Sequence, residues 1–324
     1  MNILVRLPNW LGDMVMSTAF IKAVEQQYPT ALIDVIVKKG LGELIPFFPA
    51  VNQVYLFDKS EYQGLSGAFR FGKMISIQKK YDLFFCLPDS FSSALMGYAA
   101  GARQRIGYKN EMRSILFTHS YQKDNSKHRA SQYVHLLNQY KGNHNKVTVE
   151  LQHSVATVHN RVIINCNSEA GSRRLPVEKA VTMIQQLQQQ FSNFEWILIG
   201  STKEKQHVDA IVQQLPAGSV TNMAGATGLK ELTELLASAS LVVSTDSGPA
   251  HVANAAGVKT IVLFGAGNEQ QTAPYNKTAC KTVRHGSLSC EPCIKNKCRF
   301  GDPKCLLELD MKKIETAFTQ FINV

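Results

Sequence analysis

LVVSTDSGPAHVANAAGVKTIVLFG, residues Leu241–Gly265, is the stretch from which the fold can be read. Leu241–Ser244 is a short apolar run of strand character, and it ends in the small, polar turn Thr245-Asp246-Ser247-Gly248. Gly248–Ala256 follows as a helix of small residues, with Pro249 at its start, where a missing N–H costs nothing. Thr260–Phe264 is a second apolar strand, closed by Gly265. Strand, helix and strand in that order make a crossover unit, and repeated units of this kind build a parallel sheet with helices on both faces.

The same alternation runs backwards from this stretch. Val162–Asn165 and Phe194–Ile199 read as strands, and Pro176–Gln190, Glu204–Gln214 and Gly228–Ala239 read as helices. It also opens the chain. Ile3–Leu7, Ala31–Val37, Gln53–Phe57 and Asp82–Leu87 have strand character. Asp13–Gln27 carries apolar residues at helical spacing and ends before Pro29, and Ser92–Ala100 is a further helix. From about Lys141 to Asn160 the chain turns polar, so a boundary is expected there. The expectation is an α/β protein of two Rossmann-like doubly wound domains, 1–155 and 156–324, facing each other across a cleft. The last helix, near Leu309–Ile322, can pack back on the first domain.

Composition agrees with two folded domains. The chain has 324 residues, 44% apolar and 19% charged, which is globular rather than disordered. No apolar run approaches the ~18 residues of a membrane span. Arg6, Pro8, Asn9 and Asp13 interrupt the N-terminus and argue against a signal peptide, so a cytoplasmic location is expected. A net charge of +10 suits anionic partners or mere solubility. The cations are scattered, as at Arg103, Arg105, Lys109 and Arg113, and no block resembles a basic arm, so nucleic acid is not expected.

Ligands of open α/β sheets bind beyond the carboxyl ends of the strands, so the strand-to-helix turns are where chemistry is sought. Asp13, after Leu7-Pro8-Asn9-Trp10-Leu11-Gly12, is either an acid favoured by a helix N-terminus or a general base. Asn167–Pro176 contains GSRR, where small residues and Arg173 can cradle a phosphate, although GxxxxGK[ST] and GxGxxG are both absent. Glu204, in Gly200-Ser201-Thr202-Lys203-Glu204, either caps a helix or accepts a ribose hydroxyl. Ser247 and Gly248 would aim N–H groups at an anion, and His251 follows one turn later. Cys290, Cys293, Cys298 and Cys305 cluster in the tail. Their spacing is not that of a standard zinc site; a reduced loop or a disulfide pair ranks ahead of a metal, and none is assigned.

Several of these segments together resemble the ADP-heptose:lipopolysaccharide heptosyltransferases, glycosyltransferase family 9. They are RLPNWLGDMVMSTAFIKAVEQQYP at the start, RIGY at Arg105–Tyr108, GSRRLP, the Leu241–Gly265 stretch and TAPY at Thr272–Tyr275. The tail SCEPCIKNKC is most similar to the heptosyltransferase II branch. The resemblance implies a GT-B fold, with the acceptor on the N-terminal domain and the ADP-sugar on the C-terminal one. It implies inverting transfer of L-glycero-D-manno-heptose from ADP-heptose to the lipopolysaccharide inner core. No cofactor or metal is implied. The implied acceptor is a phosphorylated lipid A–Kdo–heptose core, met by peripheral contact with the anionic cytoplasmic face of the inner membrane.

Residue by residue, Asp13 matches the family's proposed base. Arg173 stands where many members have a lysine that contacts the diphosphate, and Leu175 replaces a tryptophan. Glu204 matches the acid near the ribose, Thr227 a residue beside the adenine, and Asp246, Ser247, Gly248 and His251 the nucleotide-contacting segment. Ala266-Gly267-Asn268 replaces the usual Pro-Thr run after the Phe-Gly pair.

Overall fold

In the computed structural model, which describes residues 1–322, the central strand of the first half is β1 (Asn2–Arg6). Ile3, Leu4 and Val5 are fully buried on both faces, as expected of a strand covered by helices above and below. The other strands of this half are β2 (Leu32–Lys38), β3 (Gln53–Phe57), β4 (Leu83–Cys86), β5 (Gln104–Tyr108) and β6 (His119–Tyr121). All pairs are parallel, in the order β3-β2-β1-β4-β5-β6. The second half holds β7 (Val158–Asn165), β8 (Glu195–Leu198), β9 (Thr221–Asn222), β10 (Ala239–Thr245), β11 (Lys259–Phe264) and β12 (Cys280–Arg284). Its order is β12-β11-β10-β7-β8-β9, again all parallel.

Numbered within its own half, each sheet therefore runs 3-2-1-4-5-6, the order of a dinucleotide-binding Rossmann sheet. The winding reverses between β1 and β4 in one half and between β7 and β10 in the other. Loops leaving the two strands on either side of such a point diverge and leave a crevice at the carboxyl edge. The chain divides into two compact units, Met1–Gln152 and His153–Val324. Among the described residues no helix is long and apolar enough to cross a membrane.

The helix expected over Asp13–Gln27 is two helices, Leu11–Met16 and Thr18–Gln27, meeting at Ser17. Ser17 is fully buried, and its hydroxyl donates to the Met14 carbonyl at 2.6 Å; the Thr18 hydroxyl donates to Val15 O at 2.8 Å. Such local side-chain bonds compete with the helical ladder and break it there. In the first unit Phe84 of β4 lies under the helix Phe91–Ala99. A Cβ at Gly97 would stand 2.1 Å from its ring, so the glycine sets how closely helix and sheet approach. The last helix, Met311–Ile322, packs on the second unit, where Phe318 stacks on Phe191 (ring centroids 4.5 Å) and Trp196 (5.8 Å).

Candidate functional site

At the β7–β10 switch point three loops are tied together by buried amides and hydroxyls. Asn165, the last residue of β7, donates through Nδ2 to Ser247 Oγ at 2.8 Å and Ser244 Oγ at 3.1 Å. Asn167 donates to Ile199 O at 2.9 Å, past the end of β8, and its carbonyl accepts from the Thr245 hydroxyl. Ser247 has extended backbone (φ −155°) and precedes the helix Gly248–Ala255, whose first N–H groups have no intrahelical acceptor. Ser247 and Gly248 therefore present a helix N-terminus beside the end of β7. His251 is buried on the same helix.

Arg173 comes to this point from the one-turn segment Gly171–Arg173. Its Nη1 lies 3.3 Å from Asp246 Oδ2, with no aligned hydrogen bond: Oδ2 has no hydrogen-bond partner, and Arg173 Nε has none either. The turn does not depend on Arg173 for its shape. Ser172 N donates to Asn296 O at 3.2 Å, the Ser172 hydroxyl donates to Lys295 O, and Arg174 Nη2 reaches Ser168 O at 3.2 Å. Lys295 and Asn296 belong to the cysteine-rich tail, and Ile294 N donates to Ala266 O at 2.8 Å. The tail thus packs on the Gly171–Arg173 turn, which its sequence position does not suggest. All seven cysteines are free thiols. Among the described residues no cluster of His, Cys, Asp or Glu is arranged to hold a metal ion.

Glu204 and Thr227 lie on the next two turns along the same carboxyl edge, after β8 and β9. Glu204 is engaged locally, its Oε2 accepting from Ser201 N and Ser201 Oγ at 2.8 Å each, in a capping box. Thr227 is half-exposed on a turn joined to the other by Gly225 N donating to Gly200 O at 2.8 Å.

Asp13 belongs to the first unit, at the β1–β4 switch point. It is the third residue of the helix Leu11–Met16, with its side chain 19% exposed. Arg129 Nη1 stands 3.5 Å from Asp13 Oδ1, and the buried Tyr133 is a further polar neighbour of the carboxylate. Burial pushes the Asp13 carboxyl above the ordinary range; the charges of Arg129 and Lys123 and the polar Tyr133 side chain pull it back, and Asp89 adds a smaller push upward. A half-buried carboxylate with a raised affinity for protons, beside a crevice, has the properties of a general base.

Two buried arginines, neither expected from the sequence to be a site residue, tie down the loops at this switch point. Arg6 ends β1, and its Nη1 donates to Leu7 O at 2.8 Å and Ile36 O at 3.1 Å while Nη2 reaches Asn9. Burial lowers its guanidinium to about 10. Arg113 clamps the loop after β4, donating to Pro88 O at 2.6 Å, Tyr108 O at 2.7 Å and Asp89 Oδ1 at 3.0 Å. An arginine inside an otherwise apolar run, as in Ile3-Leu-Val-Arg6-Leu7, is the signal that could have pointed to the first of them. For Arg113 no local signal exists.

Residues 69–303 match the family model of glycosyltransferase family 9 (heptosyltransferase). The chain is 28% identical over 306 residues to lipooligosaccharide heptosyltransferase 2 of Haemophilus influenzae, covering 86% of this chain and 87% of that one. Its fold is similar to the solved Escherichia coli ADP-heptose lipopolysaccharide heptosyltransferase II (TM-score 0.83, 23% identity, covering 100% and 99%). It is also similar to a family 9 glycosyltransferase of Veillonella parvula (TM-score 0.86, 18% identity, covering 99% and 97%). With its two 3-2-1-4-5-6 sheets and this match over most of its length, the chain belongs to glycosyltransferase family 9, the heptosyltransferases.

Proposed function

We propose that this chain transfers L-glycero-D-manno-heptose from ADP-heptose to the inner core of lipopolysaccharide, with inversion, as a heptosyltransferase of the II type. The observation that carries the donor half is the approach of Arg173 to Asp246, the residue that precedes the Ser247–Gly248 helix start at the β7–β10 switch point. A guanidinium and a helix N-terminus together form a diphosphate site, because both supply positive charge and fixed N–H donors. The H. influenzae and E. coli relatives carry the heptosyltransferase 2 name, which supports the sugar and the acceptor.

In the proposed reaction an acceptor hydroxyl attacks the anomeric carbon, and its proton passes to Asp13. The bond from that carbon to the diphosphate oxygen breaks, and ADP leaves with the electron pair. Arg173 and the Ser247–Gly248 N–H groups meet the charge that grows on the leaving phosphate, where preorganised donors contribute most to the rate. Asp246 and His251 line the same segment, with Glu204 near the ribose and Thr227 near the adenine. ADP-heptose is the donor substrate, and the reaction as proposed calls for no cofactor and no metal. The +10 charge suits a phosphorylated lipid A–Kdo–heptose acceptor and peripheral contact with an anionic membrane at its cytoplasmic face.

The test is ADP release from ADP-heptose with heptose-deficient core acceptors of defined length. Release that depends on both substrates supports the proposal. No release with any acceptor, or release only with another nucleotide-sugar that also raises the melting temperature, overturns it.

A further inference from the structure

Asp246 places a negative charge inside a site read as one for anions, and its surroundings are unusual for an ionised carboxylate. It is 3% exposed. Its Oδ2 has no hydrogen-bond partner, and a Cβ at Gly267 would stand 1.9 Å from that oxygen, so only glycine leaves room for it. The nearest cation is Arg173 Nη1, at 3.3 Å and out of line for a hydrogen bond.

The other charged groups around Asp246 come from several elements. Arg284, at the end of β12, is taken up by Glu269 (2.7 Å), by Gly265 O (2.7 Å), by Gly267 O and by Glu291 of the tail (3.4 Å). Glu269 opens the short helix Glu269–Thr272, and His251 is buried on the helix that Asp246 precedes. Burial pushes the Asp246 carboxyl up to about 6; Arg173 and then Arg284 oppose this, and Glu269 adds to it. A diphosphate that engages Arg173 removes the main support of the ionised form and brings further negative charge close. Neutralising the carboxylate is the response that leaves no buried like charges facing each other.

We propose that Asp246 is a proton-linked positioning residue. Ionised, it holds Arg173 in the free protein; when a nucleoside diphosphate arrives, Oδ2 takes one proton from solvent and the guanidinium turns to the phosphates. This rests on the reading of the β7–β10 switch point as a diphosphate site.

Linkage fixes the sign. A group that binds its proton more tightly in the complex than in the free protein makes affinity fall as pH rises between the two values, by at most about tenfold per pH unit. The fall therefore begins above about pH 6, where the free carboxyl ionises. The experiment is calorimetric titration of the whole chain with ADP-ribose, whose diphosphate diester has no group of its own titrating near neutral pH. It is run at several pH values in pairs of buffers of different ionisation enthalpy.

The expected result is net proton uptake that rises above pH 6 towards about one proton per ligand. Asp246→Asn should bind with no uptake and with affinity flat in pH, and Arg173→Lys should bind more weakly with uptake retained. Binding without uptake by the wild-type chain between pH 6 and 8 overturns the proposal and leaves the diphosphate site standing. Uptake that persists in Asp246→Asn overturns it too and points to His251. If ADP-ribose does not bind at all, the diphosphate reading itself fails. If Asp246→Asn does not fold, His251→Gln replaces it: uptake retained in that variant assigns the proton to Asp246, and uptake lost with His251 overturns the proposal.

Discussion

Removing the Arg173 side chain separates a phosphate-contacting role from a structural one. The Gly171–Arg173 turn is held by Ser172 on Asn296 O and Lys295 O and by Arg174 on Ser168 O, so Arg173→Ala should leave its backbone in place. What is lost is a charged donor, worth about 1.5–3 kcal/mol when it serves an ionised acceptor. At about 1.4 kcal/mol per decade, ADP and ADP-sugars should bind roughly 10- to 150-fold more weakly. Arg173→Lys should recover part of this, since it keeps the charge without the fork. Adenosine, which has no phosphate, should bind Arg173→Ala and the wild type alike. Calorimetric titration of ADP and adenosine against the three proteins reads the difference directly. An equal loss for both ligands would refute the reasoning, because it would mean that Arg173 shapes the loop.

Asp13→Asn should keep ADP binding and lower turnover by about 10²–10⁴-fold, the range for a positioned base, as measured by ADP release with saturating substrates. Because burial raises the Asp13 carboxyl, wild-type turnover should fall as pH drops through a value above the ordinary carboxylate range; a profile flat down to pH 4 would remove Asp13 from the chemistry. Asp246, raised from 3.8 to about 6, binds its proton more tightly folded than unfolded. Its contribution of ~3 kcal/mol is complete only below about pH 3.8 and is lost as pH rises through 6, so Asp246→Asn should flatten that part of the melting profile. Arg113→Met leaves the buried Tyr108 carbonyl without its guanidinium donor and the half-buried Pro88 carbonyl with only the weak Cys86 thiol, and should cost about 2–4 kcal/mol in denaturant unfolding. Ser172→Ala removes a bond between the turn and the tail and should cost about 1 kcal/mol, with faster proteolysis within residues 290–298 as its signature.

The alternation of apolar runs with small-residue turns was enough to read two doubly wound halves, because strand burial and helix periodicity are written into neighbouring residues. Gln53–Phe57 is a strand over the same residues that the sequence suggests, and Gly248 opens its helix as expected, since turn sterics act over a few positions. The split at Ser17 lay one step further off, in a hydroxyl's choice of carbonyl. The places of Asp13, Arg173 and Ser247–Gly248 on carboxyl-edge turns followed from topology. What surrounds them did not. Arg129 is 116 residues from Asp13, Asp246 is 73 from Arg173, and the Ser172 hydroxyl bonds a carbonyl 123 residues away. Such partners are chosen by how sheets, loops and tail pack, and no local pattern encodes them. The sequence by itself determined the fold class, the family resemblance and the strand-to-helix turns in which chemistry is sought. Only the tertiary structure decided which charges are buried and with whom, and desolvation makes that the fact that sets a carboxylate's proton affinity.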